Sequence, residues 1–478
     1  MVFSSMDFLF KFLPVFLTVY YISPARYRNV CLFAGSLIFY LYGVRDNVLY
    51  LGLLVLSILV NYRLGVWIGR RRRGRRWDGF RRRWLVSGIL YNLLWLFLFK
   101  YAAFFAENIN VLLQRAGCGY AIPVMGAALP IGISFYTFQA VSYLVDVYRG
   151  DVGFEPSFVN FGMYICMFPQ LIAGPIVTYS SISSQITKRR HAFGKIEDGL
   201  REFTIGLGLK VLLANQIGRL WNEVGAIGYE SISTPLAWLG LAAFSLQIYF
   251  DFYGYSLMAK GLGRLLGFQL PDNFDHPYMA LSMTDFWRRW HMTLGSWFRE
   301  YVYIPLGGNR GGRLQTFRNM FIVWFLTGFW HGASWNFVIW GLVLFLLIAV
   351  EKAGLYRFLT KWRAAGHLYM MFAIPLTWLV FAVTDLRQMA VYIQRLFPFL
   401  DFGRQAVYFE GDFMKYGKIY GISMAAGLVF MTGMPRKIYN RYKYRHSFVS
   451  TAILLTVFWL CVYCMKMGAD DPFLYFRF

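Results

Sequence analysis

The chain has 478 residues, of which 58% are hydrophobic and only 15% charged, with mean hydropathy +0.45. Soluble domains carry about a quarter charged residues, so a bilayer must act as solvent for most of this chain. The net charge of +24 does not point to nucleic acid, because no reading motif accompanies it and its densest cluster lies in one short loop.

Apolar runs fall near 7–22, 29–43, 48–69, 84–105, 120–147, 157–180, 203–224, 235–258, 319–350, 367–384, 413–434 and 447–467. They predict an all-α polytopic membrane protein with about 10–12 transmembrane and re-entrant helices. No soluble domain interrupts them, so one membrane domain over 1–478 is expected. Its core lies at about 120–350, with peripheral helices at 1–105 and 367–467.

In chain order, Met1–Ser5 has no basic leader and no small-residue cleavage site follows, so the first run is expected to stay as a span. Three runs precede the basic loop from Arg70 to Arg83, which predicts a cytoplasmic loop facing anionic lipid. Two later stretches, Met125–Ser134 and Phe168–Ile176, carry enough Gly and Pro to predict broken helices. The five cysteines, Cys31, Cys118, Cys166, Cys461 and Cys464, are too scattered for a disulfide framework or zinc site, so no metal is expected.

The richest polar stretch is 271–318. Within it Trp287, Trp290, Leu294, Trp297 and Tyr301 recur at helical spacing, with Asp285, Arg288 and Arg299 on the other face. This predicts one amphipathic helix over Ser282–Tyr301, lying at an interface or entering the protein, with His291 on its shoulder, ended by the Gly-rich loop Pro305–Arg313. Arg310 and Arg313 in that loop suit holding an anionic donor or headgroup and simple positive-inside anchoring about equally. The run 319–350 carries no Asp, Glu, Lys or Arg yet includes His331. As a straight helix it would be about 48 Å long, beyond the ~30 Å hydrocarbon core. A break at Gly332-Ala333-Ser334 is therefore expected.

An ionisable group at such depth marks function more often than structure. Imidazole suits a base that deprotonates a hydroxyl attacking a thioester. Asn336 or Ser334 could donate to the resulting oxyanion, and Trp330 and Trp335 flank His331. Of the other histidines, His276 reads as a turn residue, and His191, His367 and His446 as solvated surface.

These motifs together resemble the membrane-bound O-acyltransferase family, in its alginate O-acetyltransferase-like bacterial branch. The resemblance rests on Met1–Ser5, Pro130–Gly150, Phe168–Tyr179, Gln247–Gly254, Phe286–His291, Trp297–Arg310 and Leu326–Trp335. Leu257, Tyr253, Thr178 and Glu300 depart from its usual residues. It implies a multi-pass protein of the bacterial inner membrane, with tilted helices around a central funnel. It also implies that His331 is catalytic and that His291 lies near the reaction centre. Trp330, Trp287, Arg288, Arg310, Asn336 and Ser334 are the candidate substrate contacts beside them. No cofactor is expected to be bound. The implied donor is acetyl-CoA or the phosphopantetheine thioester of an acyl carrier protein. The implied acceptor is an exported polysaccharide, reached with an extracytoplasmic partner acyltransferase. D-alanyl transfer to teichoic acid, a transporter and a non-catalytic scaffold are the competing readings.

Overall fold

The computed structural model describes residues 2–70, 75–124, 126, 128–172, 174–189, 191–400, 409–468 and 474. Arg71, Arg72 and Arg73 of the basic loop, Met125 and Ala127 before Pro130, and Ala173 lie outside them. Every regular element among the described residues is a helix. Six are long and apolar enough to cross a membrane: Leu49–Gly69, Trp77–Arg115, Thr234–Leu265, Trp335–Lys361, Arg363–Ala382 and Ser447–Lys466. The chain is an all-helical, multi-pass membrane protein.

The helices gather into two compact units, residues 3–199 with 259–271 and residues 200–258 with 272–478. In the first, the helices Leu49–Gly69, Arg75–Leu96 and Ile133–Arg149 pack on one another. Asn61 and Asn92 exchange amide hydrogen bonds between two of them, at 3.1 and 2.7 Å, so neither buried amide is left unpaired. Both stretches expected to break do so. The run at 120–147 becomes helical only at Ile133, after Gly132 in the left-handed region. A Cβ on Gly132 would also meet the Leu171 carbonyl oxygen at 2.5 Å, so the position needs glycine twice over. After the short helix Phe168–Leu171 the described residues up to Thr178 are non-helical.

His191 departs from the solvated role expected of it. It is half-buried, with Nε2 3.1 Å from the Tyr20 hydroxyl and Nδ1 2.8 Å from an Arg28 guanidinium nitrogen. Tyr20 donates to the Leu266 carbonyl and Arg28 can only donate, so the ring carries its proton on Nε2. Burial, then Arg28 and Arg189, lower its pKa. His367 and His446 are exposed, as expected.

In the second unit, the run 319–350 is two packed helices, Gly312–His331 and Trp335–Val350, with the break where the surplus length required it. Their closest approach is at Gly328 and Gly341. A Cβ on Gly328 would lie 2.4 Å from the Phe337 carbonyl oxygen, and one on Gly341 2.5 Å from that of Trp324. Small residues at such a crossing let two backbones touch.

The stretch Ser282–Tyr301 is not the single helix its stripe suggested. It forms two short helices, Met283–Arg289 and Met292–Phe298, separated by Trp290 in extended and His291 in left-handed conformation. The aromatic stripe has helical spacing, but its side chains pack inward around the break. Glu351 holds the first of these helices from across the unit. Its carboxylate accepts from the Met283 N–H at 2.6 Å, and from the Thr284 N–H and hydroxyl at 2.9 and 2.7 Å. Asp251, which with the equally buried Asp146 is what a transporter reading would use, pairs with Lys210 at 2.5 Å and accepts the Leu474 N–H.

Four substitutions test this packing. Gly328→Leu should destabilise the protein by about 1–3 kcal/mol through overpacking. Gly421→Ala, inside the helix Asp412–Phe430 where an added Cβ meets nothing within 4 Å, should leave the unfolding temperature in detergent no lower and raise it slightly, since Ala is the better helix former. Glu351→Ala should cost about 1–3 kcal/mol by stranding two buried N–H groups, and Glu351→Gln clearly less, in the same measurement.

Candidate active site

His331 is the last residue of the helix Gly312–His331, and Gly332 leaves it in extended conformation. A Cβ on Gly332 would fall 2.1 Å from the Phe337 ring, so glycine there lets the aromatic close over the turn. The His331 ring is buried edge-on against Trp340 at 5.0 Å and Phe381 at 5.3 Å, and it contacts Trp330 at 5.0 Å. Trp330 also meets the His291 ring, at 6.3 Å between centroids. One indole therefore touches both imidazoles.

His291 is 2% exposed, buried within the protein on a stretch expected to lie at an interface or to enter the protein. Its φ of 43° is strained for a residue with a Cβ, at a cost of about 1–3 kcal/mol. The segment 273–275 compensates by pairing with the kink: the Asp275 N–H donates to the Arg289 carbonyl and the Met292 N–H to that of Asn273, both at 2.9 Å. The His291 Nδ1 lies 3.0 Å from Asn273 Oδ1, and Phe252 closes one face of the ring at 4.7 Å. Burial lowers the pKa of this imidazole, which keeps it neutral.

Both histidines line one cavity of about 1150 Å³. Its inner wall is aromatic and includes Trp287, Trp290 and Trp324. Its rim carries the exposed bases Arg288, Arg299, Arg313, Lys352 and Arg357. The carboxylate on the lining, Glu351, is occupied by the Met283 and Thr284 groups, so the rim is strongly cationic. Such a cavity suits a long ligand with an anionic head and an uncharged reactive end.

The sequence-derived site residues divide. His331, His291, Trp287 and Arg288 line the cavity, and Trp330 bridges the imidazoles from behind. Asn336 is fully buried, and its amide donates to the Val380 and Phe381 carbonyls at 3.2 and 3.0 Å, tying down the end of the helix Arg363–Ala382. Ser334 bonds the oxygen of the same amide. Arg310 is exposed outside the cavity lining, and its neighbour Arg313 lies on it. Sequence reasoning passed over Asn273, Lys352 and Arg357. Asn273 had only a turn-like context, and the two bases follow the spanning run at a distance that no periodicity links to the histidines.

The family model for MBOAT, the membrane-bound O-acyltransferase family, matches residues 151–384. The chain is 43% identical to the "Probable alginate O-acetylase AlgI" of Azotobacter vinelandii, over 74% of this chain and 69% of that one. It is 36% identical to the peptidoglycan O-acetyltransferase of Helicobacter pylori, over 74% of this chain and 71% of that one. With the teichoic acid D-alanyltransferase of Bacillus subtilis the identity is 28%, over 49% of this chain and 60% of that one. The matched region holds both histidines and the whole cavity lining. The chain belongs to the membrane-bound O-acyltransferase family.

Proposed function

We propose that the protein transfers an acetyl group from a thioester to a hydroxyl, for O-acetylation of an exported polysaccharide, with His331 as the base. The observation that carries this reading is the shared cavity, with two buried imidazoles at its aromatic end and five bases at its rim. Identity to the alginate and peptidoglycan acetylating relatives exceeds that to the D-alanyl relative. That difference favours acetyl over D-alanyl.

In this reaction His331 removes the proton as the hydroxyl oxygen attacks the thioester carbon. The tetrahedral intermediate collapses with loss of the C–S bond, and the imidazolium returns its proton to the leaving thiolate. Products are an ester and a free thiol. The transient imidazolium sits at the C-terminal turn of a 20-residue helix, where the carbonyl dipoles favour positive charge. The aromatic wall excludes water that would otherwise hydrolyse the thioester.

The rim fits a donor bearing phosphates, either acetyl-CoA or a carrier-bound phosphopantetheine, and the loop 70–83 would face the cytoplasm where such donors are made. The acceptor would be reached from the opposite side, with an extracytoplasmic partner acyltransferase.

Two measurements test the reading. In nanodiscs with acetyl-CoA, polysaccharide and partner supplied, His331→Ala should lower turnover by about 10²–10⁴-fold while the protein stays folded; equal turnover would remove His331 as the base. In the same assay Arg299→Glu combined with Arg313→Glu should raise KM for acetyl-CoA more than kcat falls. The double variant should also lose the rise of KM with ionic strength that screening imposes on the wild type. An unchanged KM would place the phosphates elsewhere.

A further inference from the structure

Asn273 makes more contacts around the kink than a turn residue needs. It is 3% exposed, and its Oδ1 receives the Thr293 hydroxyl at 2.9 Å, the Thr293 N–H at 3.4 Å and the His291 ring at 3.0 Å. Its Nδ2 donates to the Ser256 hydroxyl at 3.2 Å. The Thr293 N–H can only donate, so the amide orientation is set and the atom facing His291 is the oxygen. An oxygen acceptor requires a proton on Nδ1 of a neutral ring, which leaves Nε2 bare. His291 Nε2 is buried and has no hydrogen-bond partner among the described residues.

We infer that Asn273 is a positioning residue that holds His291 as its Nδ1–H tautomer, so that Nε2 serves the cavity as a hydrogen-bond acceptor and never as a donor. The inference rests on the acyl-transfer reading and narrows it. His291 then receives an O–H or N–H from a substrate, such as an amide of the pantetheine arm or a sugar hydroxyl other than the one His331 deprotonates. It does not supply the oxyanion donor. A neutral amide at 273 suits this role, because a carboxylate there would favour the imidazolium and remove the lone pair. The ring is faced by Phe252, Trp330 and Asn273, and burial is the cause of its lowered pKa.

The test is solid-state NMR of the full chain in lipid bilayers with ring-¹⁵N histidine, the His291 signals being assigned by their loss in His291→Gln. Wild type should show protonated Nδ1 and bare Nε2. Asn273→Ala should shift the ring toward the Nε2–H tautomer and lower kcat at least tenfold with little change in KM. Asn273→Asp, which keeps the acceptor, should retain Nδ1–H but hold the ring protonated to higher pH, moving the acid limb of the pH–rate profile upward by a unit or more. Protonated Nε2 in the wild type, or an unaltered tautomer in Asn273→Ala, would overturn the inference. So would a changed tautomer with unchanged kcat. Absence of wild-type turnover, with the tautomer as expected, would instead count against the acyl-transfer reading.

Discussion

Breaking a helix in a packed or lipid-facing interior leaves backbone N–H and C=O groups that neither hydrocarbon nor aromatic rings can satisfy. The second unit breaks its helices repeatedly, and the structure around the histidines depends on how those groups are met. Polar side chains from distant segments do it. Glu351 takes the N–H groups that open the helix Met283–Arg289, and Asn336 binds the carbonyls that close Arg363–Ala382. Asn319 donates to the Leu306 and Gly308 carbonyls at 3.1 and 3.0 Å, fastening the Gly-rich loop. Asn273 supports the left-handed turn at His291. Each is a buried polar group whose cost is offset because its partner would otherwise be orphaned as well.

This arrangement also explains why the two histidines remain chemically available. A buried polar residue among helix breaks tends to be consumed in repairing them, as Asn336 and Ser334 are. Repair by other side chains leaves the imidazoles surrounded mostly by rings: Trp330, Trp340 and Phe381 about His331, and Phe252 and Trp330 about His291. Aromatic edges and faces position an imidazole without fixing its protonation state as a carboxylate would.

The sequence revealed composition-driven features well and three-dimensional ones poorly. The helical class, the multi-pass character and the break after His331 follow from hydropathy, from the ~30 Å limit on a span, and from the small run Gly332-Ala333-Ser334. The number of spans does not, since six helices among the described residues are long and apolar enough where twelve apolar runs are read. The double helix within Ser282–Tyr301 did not follow. Its apolar residues keep helical spacing through Trp290 and His291, and periodicity does not register a single residue turning left-handed. His291 is accordingly expected on a helix at an interface or entering the protein, and it is buried at a kink. Asn336 and Ser334 were chosen for proximity to His331 in the chain, yet proximity across a break favours backbone repair. Asn273 and Glu351 lie 18 and 60 residues from His291, and only tertiary contact shows their roles.

The rim and the inner wall solve opposite solvation problems along one path. Arg288, Arg299, Arg313, Lys352 and Arg357 stay exposed, where a guanidinium or ammonium keeps its hydration and costs little. The same charges placed beside the histidines would each carry a desolvation penalty of several kcal/mol, and would oppose the imidazolium formed in the proposed transfer. An aromatic wall there lowers the local dielectric instead, which strengthens the helix-end dipoles acting on that imidazolium. A phosphorylated thioester spans both regions by its own chemistry, since its charge lies at one end and its reactive carbonyl at the other. The separation of exposed bases from buried imidazoles is therefore the pattern such a donor requires.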